Sequence, residues 1–84
     1  MKQYKGYYID GVAFNSKAEI DEFIKAQNIK RMNQFNRMML KATTPARMMA
    51  ANAEANKVAR YLHDYCGMSW AEIEDAEIEG MKTA

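Results

Sequence analysis

The chain is short of the residues that build the commonest chemical sites. It has one cysteine, one histidine, one proline and four glycines among its 84 residues. A single cysteine, Cys66, excludes an intrachain disulfide and fits a reducing, cytoplasmic setting. His63 and Cys66 together offer a metal two ligands, whereas a structural zinc site takes about four. A Cys-His nucleophile pair needs an orienting group and an oxyanion site, and the sequence suggests neither. The simpler reading is a helix-end histidine favoured by the helix dipole and a small buried thiol. No Gly-rich phosphate loop is present and no pair of catalytic carboxylates can be placed. No catalytic, metal-binding or cofactor-binding residue is therefore assigned, and the chain reads as non-enzymatic. No run approaches the ~18 apolar residues of a membrane span, and residues 1–8 lack the apolar core of a secretory signal.

The middle of the chain lacks negative charge. Residues 25–60 hold Lys25, Lys30, Arg31, Arg37, Lys41, Arg47, Lys57 and Arg60 against Glu54 alone, a block charge of +7. Residues 61–84 hold Asp64, Glu72, Glu74, Asp75, Glu77 and Glu79 against Lys82, a block charge of −5. The formal total of +1 hides this separation. Five of the eight methionines, Met32, Met38, Met39, Met48 and Met49, also lie in the basic block.

What remains describes a single domain, residues 1–84, mainly helical. Tyr4, Tyr7, Tyr8 and Ile9, then Val12 and Phe14, flank Asp10-Gly11, a turn signal for a β-hairpin over about 3–14. That register places Tyr7, Ile9, Val12 and Phe14 on one face, which needs a helix beneath it because a lone hairpin is marginal. Ser16-Lys-Ala-Glu19 is a capping box that opens a helix over about 17–43. Its stripe of Ile20, Phe23 and Ile24 continues into Met32, Phe35, Met38, Met39 and Ala42, interrupted by Gln27, Asn28 and Arg31, so a kink or short break is expected near 28. Thr44-Pro45 opens a second helix over 45–66, with Gly67 past its end. Along it Met48, Ala51, Ala55, Val58, Leu62 and Tyr65 form a seam of heptad type, narrow at its two alanines. Ser69-Trp-Ala-Glu72 is a second capping box, stapled by Met68 and Ile73, for a helix over 70–79 ending by Gly80, with Trp70, Ile73 and Met81 turned inward. The expected architecture is a hairpin packed on a small three- to four-helix bundle.

The stretch Tyr7-Tyr-Ile-Asp-Gly-Val-Ala-Phe-Asn-Ser-Lys-Ala-Glu-Ile-Asp-Glu-Phe-Ile-Lys25 resembles the hairpin-then-helix start of small phage and prophage accessory proteins, anti-CRISPR inhibitors among them. The resemblance implies a protein that binds one larger host protein or ribonucleoprotein without chemistry, in the host cytoplasm. It carries over no functional residue.

The charge pattern supplies candidates of its own. Lys30, Arg31, Asn33, Gln34, Arg37, Met38, Lys41, Arg47 and Met48 form the expected partner-binding surface, because Met-rich surfaces repack against varied partners. On the basic face of residues 25–60, Lys25, Lys30, Arg31, Arg37, Lys41 and Arg47 could instead neutralise phosphates while Asn28, Asn33, Gln34 and Asn36 reach base edges or sugars, the nucleic-acid alternative. A pI near 7.8 is low for such a module. A helix-turn-helix around Gly67 is disfavoured because the acidic last helix would be repelled by phosphates. A further alternative is a homo-oligomer built on the 45–66 seam, since a second copy would supply core area that so short a chain lacks.

Overall fold

The computed structural model describes residues 7–9, 12–14 and 16–82. In order along the chain these form β1 (Tyr7–Ile9), β2 (Val12–Phe14), α1 (Lys17–Lys41), α2 (Pro45–Tyr65) and α3 (Trp70–Lys82). The protein is mainly helical. β1 and β2 are three residues each and pair antiparallel, Tyr7 opposite Phe14 and Ile9 opposite Val12. The hairpin expected over 3–14 falls partly outside the described residues, which leave out 3–6 and the Asp10-Gly11 turn. Phe14 at the end of β2 is buried against Phe23 of α1, ring centroids 5.0 Å apart.

Each helix starts on a capping side chain that satisfies an otherwise orphaned backbone N–H. Glu19 N–H donates to Ser16 Oγ at 3.2 Å, and Arg47 N–H donates to Thr44 Oγ1 at 3.2 Å with Pro45 at the first helical position. At α3 the box is reciprocal: Glu72 N–H donates to Ser69 Oγ at 3.1 Å, and Ser69 N–H to Glu72 Oε1 at 2.8 Å. Gly67 ends α2 with φ +75, a left-handed conformation that glycine adopts without penalty, and Met68 N–H reaches back to Leu62 O at 3.1 Å.

The break expected near 28 does not occur, so the bundle has three helices among the described residues. α1 is continuous for 25 residues. No proline or glycine interrupts it, and sharp kinks need such a cause. The polar Asn28 turns its side chain onto its own helix, donating to Ile24 O at 2.8 Å.

A second departure lies in α3, which passes through Gly80 and ends at Lys82. Gly80 is a packing residue: a Cβ there would collide with the side-chain amide of Asn33 on α1.

α1 and α2 pack antiparallel along most of their length, and α3 folds back onto α1. The core is one cluster of Met32, Ala55, Val58, Leu62, Met68 and Ile73, with Ile29, Phe35, Ala59, Cys66 and Ala76 packed around it. Met32 and Leu62 are fully buried, each worth roughly 1.5–3 kcal/mol in removed apolar surface. Met68 and Ile73 meet in this cluster as the staple requires. The seam on α2 is buried at Ala51, Ala55, Val58 and Leu62, but its two outer members, Met48 and Tyr65, are exposed. Both lie near the ends of α2. Trp70 also departs from expectation: it is exposed and stacks on His63, centroids 4.2 Å apart and planes 19° apart. Among the described residues no helix is long and apolar enough to cross a membrane.

Candidate partner-binding surface

Helix lengths create the surface. At about 1.5 Å per residue α1 rises about 37 Å and α2 about 31 Å, whereas α3 rises only about 20 Å. α3 meets α1 at Asn33 and Asn36 through Ala76, Glu77 and Gly80. Past that point, among the described residues, α1 and α2 have only each other, and a two-helix layer cannot bury the apolar residues on both its faces. The result is an arm, about residues 37–54, projecting from the three-helix half. The molecule is correspondingly long, 54 × 25 × 22 Å, with a radius of gyration of 15.4 Å. A compact chain of this length would have about 12 Å.

The arm exposes four large hydrophobic residues: Met38 (56%), Leu40 (71%), Met48 (46%) and Met49 (70%). A groove of about 540 Å³ runs between its helices, lined by Met38, Lys41, Ala42, Arg47, Ala50 and Glu54. Nearer the three-helix half, a second groove is lined by Gln27, Asn28, Lys30, Arg31, Gln34 and Phe35. There the Arg31 guanidinium lies 5.9 Å from the Phe35 ring centroid, which holds that cation over an apolar wall.

Eight of the nine expected partner-binding residues lie outside the core. Lys30, Arg31 and Gln34 line the second groove; Met38, Lys41 and Arg47 line the arm groove; Arg37 is half-buried between them; Met48 is exposed on α2. Asn33 is the exception and is corrected. It is buried, donates from Nδ2 to Ala76 O at 3.2 Å, and accepts from Asn36 Nδ2 at 3.5 Å. Asn36, also buried, donates to Glu77 Oε2 at 2.9 Å. These two amides dock α3, so they are not available to a base edge or a partner. Leu40 and Met49, the most exposed apolar side chains of the arm, were not among the expected contacts. The signal was there in their adjacency to Lys41 and Met48, off the buried stripe of their helices.

The position of α3 decides what the charge separation means. α3 sits beside Asn33 and Asn36, not across the arginines. Among the described residues the lysine–carboxylate pairs are all local, Lys25–Glu22 at 3.5 Å, Lys57–Glu54 at 3.4 Å and Lys82–Glu79 at 3.7 Å. None joins a cation of α1 or α2 to a carboxylate of α3. The basic arm and the acidic helix are therefore two separate surfaces of opposite sign.

Among the described residues no group of three or more His, Cys, Asp or Glu side chains could hold a metal ion. His63 Nδ1 lies 3.1 Å from Asp64 Oδ1 while its ring is covered by Trp70. Burial pushes the Cys66 thiol up, with Lys25 pulling the other way and Asp21 adding to the rise, so it is held as a thiol rather than the nucleophilic thiolate. Glu72 is held below the ordinary carboxylate range, first by the Ser69 backbone N–H and then by the Ser69 hydroxyl; this belongs to the helix cap.

Compared with known proteins, the chain matches no family model, and no curated protein or solved structure matches it at a significant level.

Proposed function

We propose that this chain is a non-enzymatic interaction protein of phage or mobile-element type. It binds a larger host protein or ribonucleoprotein stoichiometrically in the cytoplasm and inhibits or modulates it, as anti-CRISPR inhibitors do. The observation that supports this reading is the arm, a two-helix projection with exposed Met38, Leu40, Met48 and Met49 and a rim of Lys41 and Arg47. Large exposed apolar groups gathered on one projection mark an interaction site rather than a solvated face. Flexible methionines let such a site conform to its partner, and the cations orient the encounter.

A tagged chain drawn through host lysate should retain one partner in fixed stoichiometry. Reversing the charges of Arg31, Arg37, Lys41 and Arg47 should release that partner while leaving the melting curve intact. Recovery of no stoichiometric partner, or equal recovery with the reversed variant, contradicts the proposal. Nucleic acid is the competing outcome. A gel shift at ~50 mM salt that collapses by ~200 mM would point to phosphate contacts instead. The withdrawal of Asn33 and Asn36 into the helix interface weighs against base reading by this face.

A further inference from the structure

α3 carries two apolar stripes. Ile73, Ala76 and Gly80 turn inward to α1. At 100° per residue, Trp70, Ile78, Met81 and Ala71 fall on a second stripe that no other helix covers among the described residues. Trp70 and Ile78 are exposed, and Ile78 and Met81 line a shallow surface hollow together with Glu77 and Lys82. Glu74 lies within this stripe and Asp75 beside it, both exposed. A groove lined by Asn56, Ala59, Trp70, Ala71 and Glu74 continues it onto α2. The outer face of α3 thus presents apolar side chains framed by carboxylates, and the arm presents apolar side chains framed by cations.

We propose that two copies of the chain pair antiparallel, each seating its Met-rich basic arm on the outer stripe of the other copy's α3. Two observations select a second copy as the occupant. Charge is complementary, Lys41 and Arg47 against Glu74 and Asp75, with no ion pair among the described residues already consuming it. Length matches: α2 from Pro45 to Glu54 rises about 15 Å and α3 about 20 Å. A two-fold relation between the copies lets both arms seat at once. The α2 seam plays no part, because Ala51, Ala55, Val58 and Leu62 are buried in the monomer. The arm is also the surface assigned above to a larger partner, so partner and second copy exclude each other.

Sedimentation velocity on the purified full chain tests this without any partner, so its outcome is independent of the proposed function. Self-association should plateau at a dimer, and raising salt from ~50 to ~500 mM should weaken it, since the cations and carboxylates that meet are solvent-exposed. Lys41→Glu with Arg47→Glu should weaken the dimer at least about tenfold, and so should Glu74→Lys with Asp75→Lys. Mixing these two variants in equal amounts should restore the dimer, because each arm then meets a stripe of opposite sign. All four positions are exposed, and circular dichroism verifies that the helices persist. Ile78→Ser reaches the same weakening through the apolar contact alone. A wild type that stays monomeric at every concentration, an assembly that grows past the dimer, or a variant mixture that stays monomeric overturns the proposal.

Discussion

The three-helix half and the two-helix arm share α1 and α2, yet they obey different rules. In the three-helix half each helix has two neighbours, and Met32, Ala55, Val58, Leu62, Met68 and Ile73 close into one core. In the arm, among the described residues, each helix has one neighbour, and only Ala51 is buried on α2 while Met38, Leu40, Met48 and Met49 are exposed. Helix propensity and capping are similar in both. What differs is whether a third element covers the pair, and that follows from the 13 residues of α3 against the 25 of α1. Stability should concentrate in one half and recognition in the other.

Substitutions that mirror each other across the two halves can break that division. The largest contrast is a buried charge. Ala55→Glu, at a site 2% exposed, should abolish cooperative unfolding or cost several kcal/mol, roughly 3 or more. Met49→Glu should leave the melting temperature nearly unchanged, about 0.5 kcal/mol or less, because the new charge stays hydrated. Equal melting of the two variants by circular dichroism would remove the distinction.

Next in size, Leu62→Ala should cost about 2–5 kcal/mol in a denaturant titration, since it opens a cavity at a fully buried site. Leu40→Ala should fall within about 0.5 kcal/mol of wild type.

Gly80→Ala tests the joint that holds α3. In an open helix this change gains up to about 1 kcal/mol. Here the added methyl meets the buried, hydrogen-bonded Asn33 amide, and overpacking of this kind costs roughly 1–3 kcal/mol. The variant should therefore melt lower than wild type, and a higher melting temperature would show that α3 does not sit against Asn33.

The smallest expected effect is a pH dependence at the α3 cap. The Glu72 carboxyl is lowered in the folded chain, so its contribution is present above the ordinary carboxylate range and is lost as pH falls through the folded value. Glu72→Gln should flatten the acid limb of the melting profile slightly and leave the neutral region nearly unchanged. A steeper acid limb in the variant would contradict the sign.

Much of the helical layout was legible because it is local. Ser16, Thr44-Pro45 and Ser69-Glu72 announce helix starts through side chains that bond within three or four residues, and Gly67 announces an end the same way. The four inner members of the α2 seam were legible from spacing. What the sequence hides is which faces meet. Asn33 and Asn36 read as surface amides because polar side chains usually are, and only the approach of α3 makes them buried connectors. Gly80 read as a stop because glycine often follows a helix, whereas its lack of a side chain here serves a contact 47 residues away in the chain. Trp70 was expected to turn inward, but its offset of about 60° from Ile73 turns it to solvent and onto His63. The basic surface was legible as composition. Its form as a bare arm depended on comparing the lengths of three packed helices.

Native-state hydrogen exchange tests the division between the halves most directly. The chain would be studied dilute and at high salt, where self-association is dissociated. Amides of Ala55–Leu62 and of Ile73–Ala76 should exchange only through global unfolding. Amides of Met38–Lys41 and of Met48–Ala51 should exchange through local opening, with protection at least about tenfold lower. Uniform protection along α1 and α2 would contradict the account, because it would mean that the arm is as firmly packed as the core.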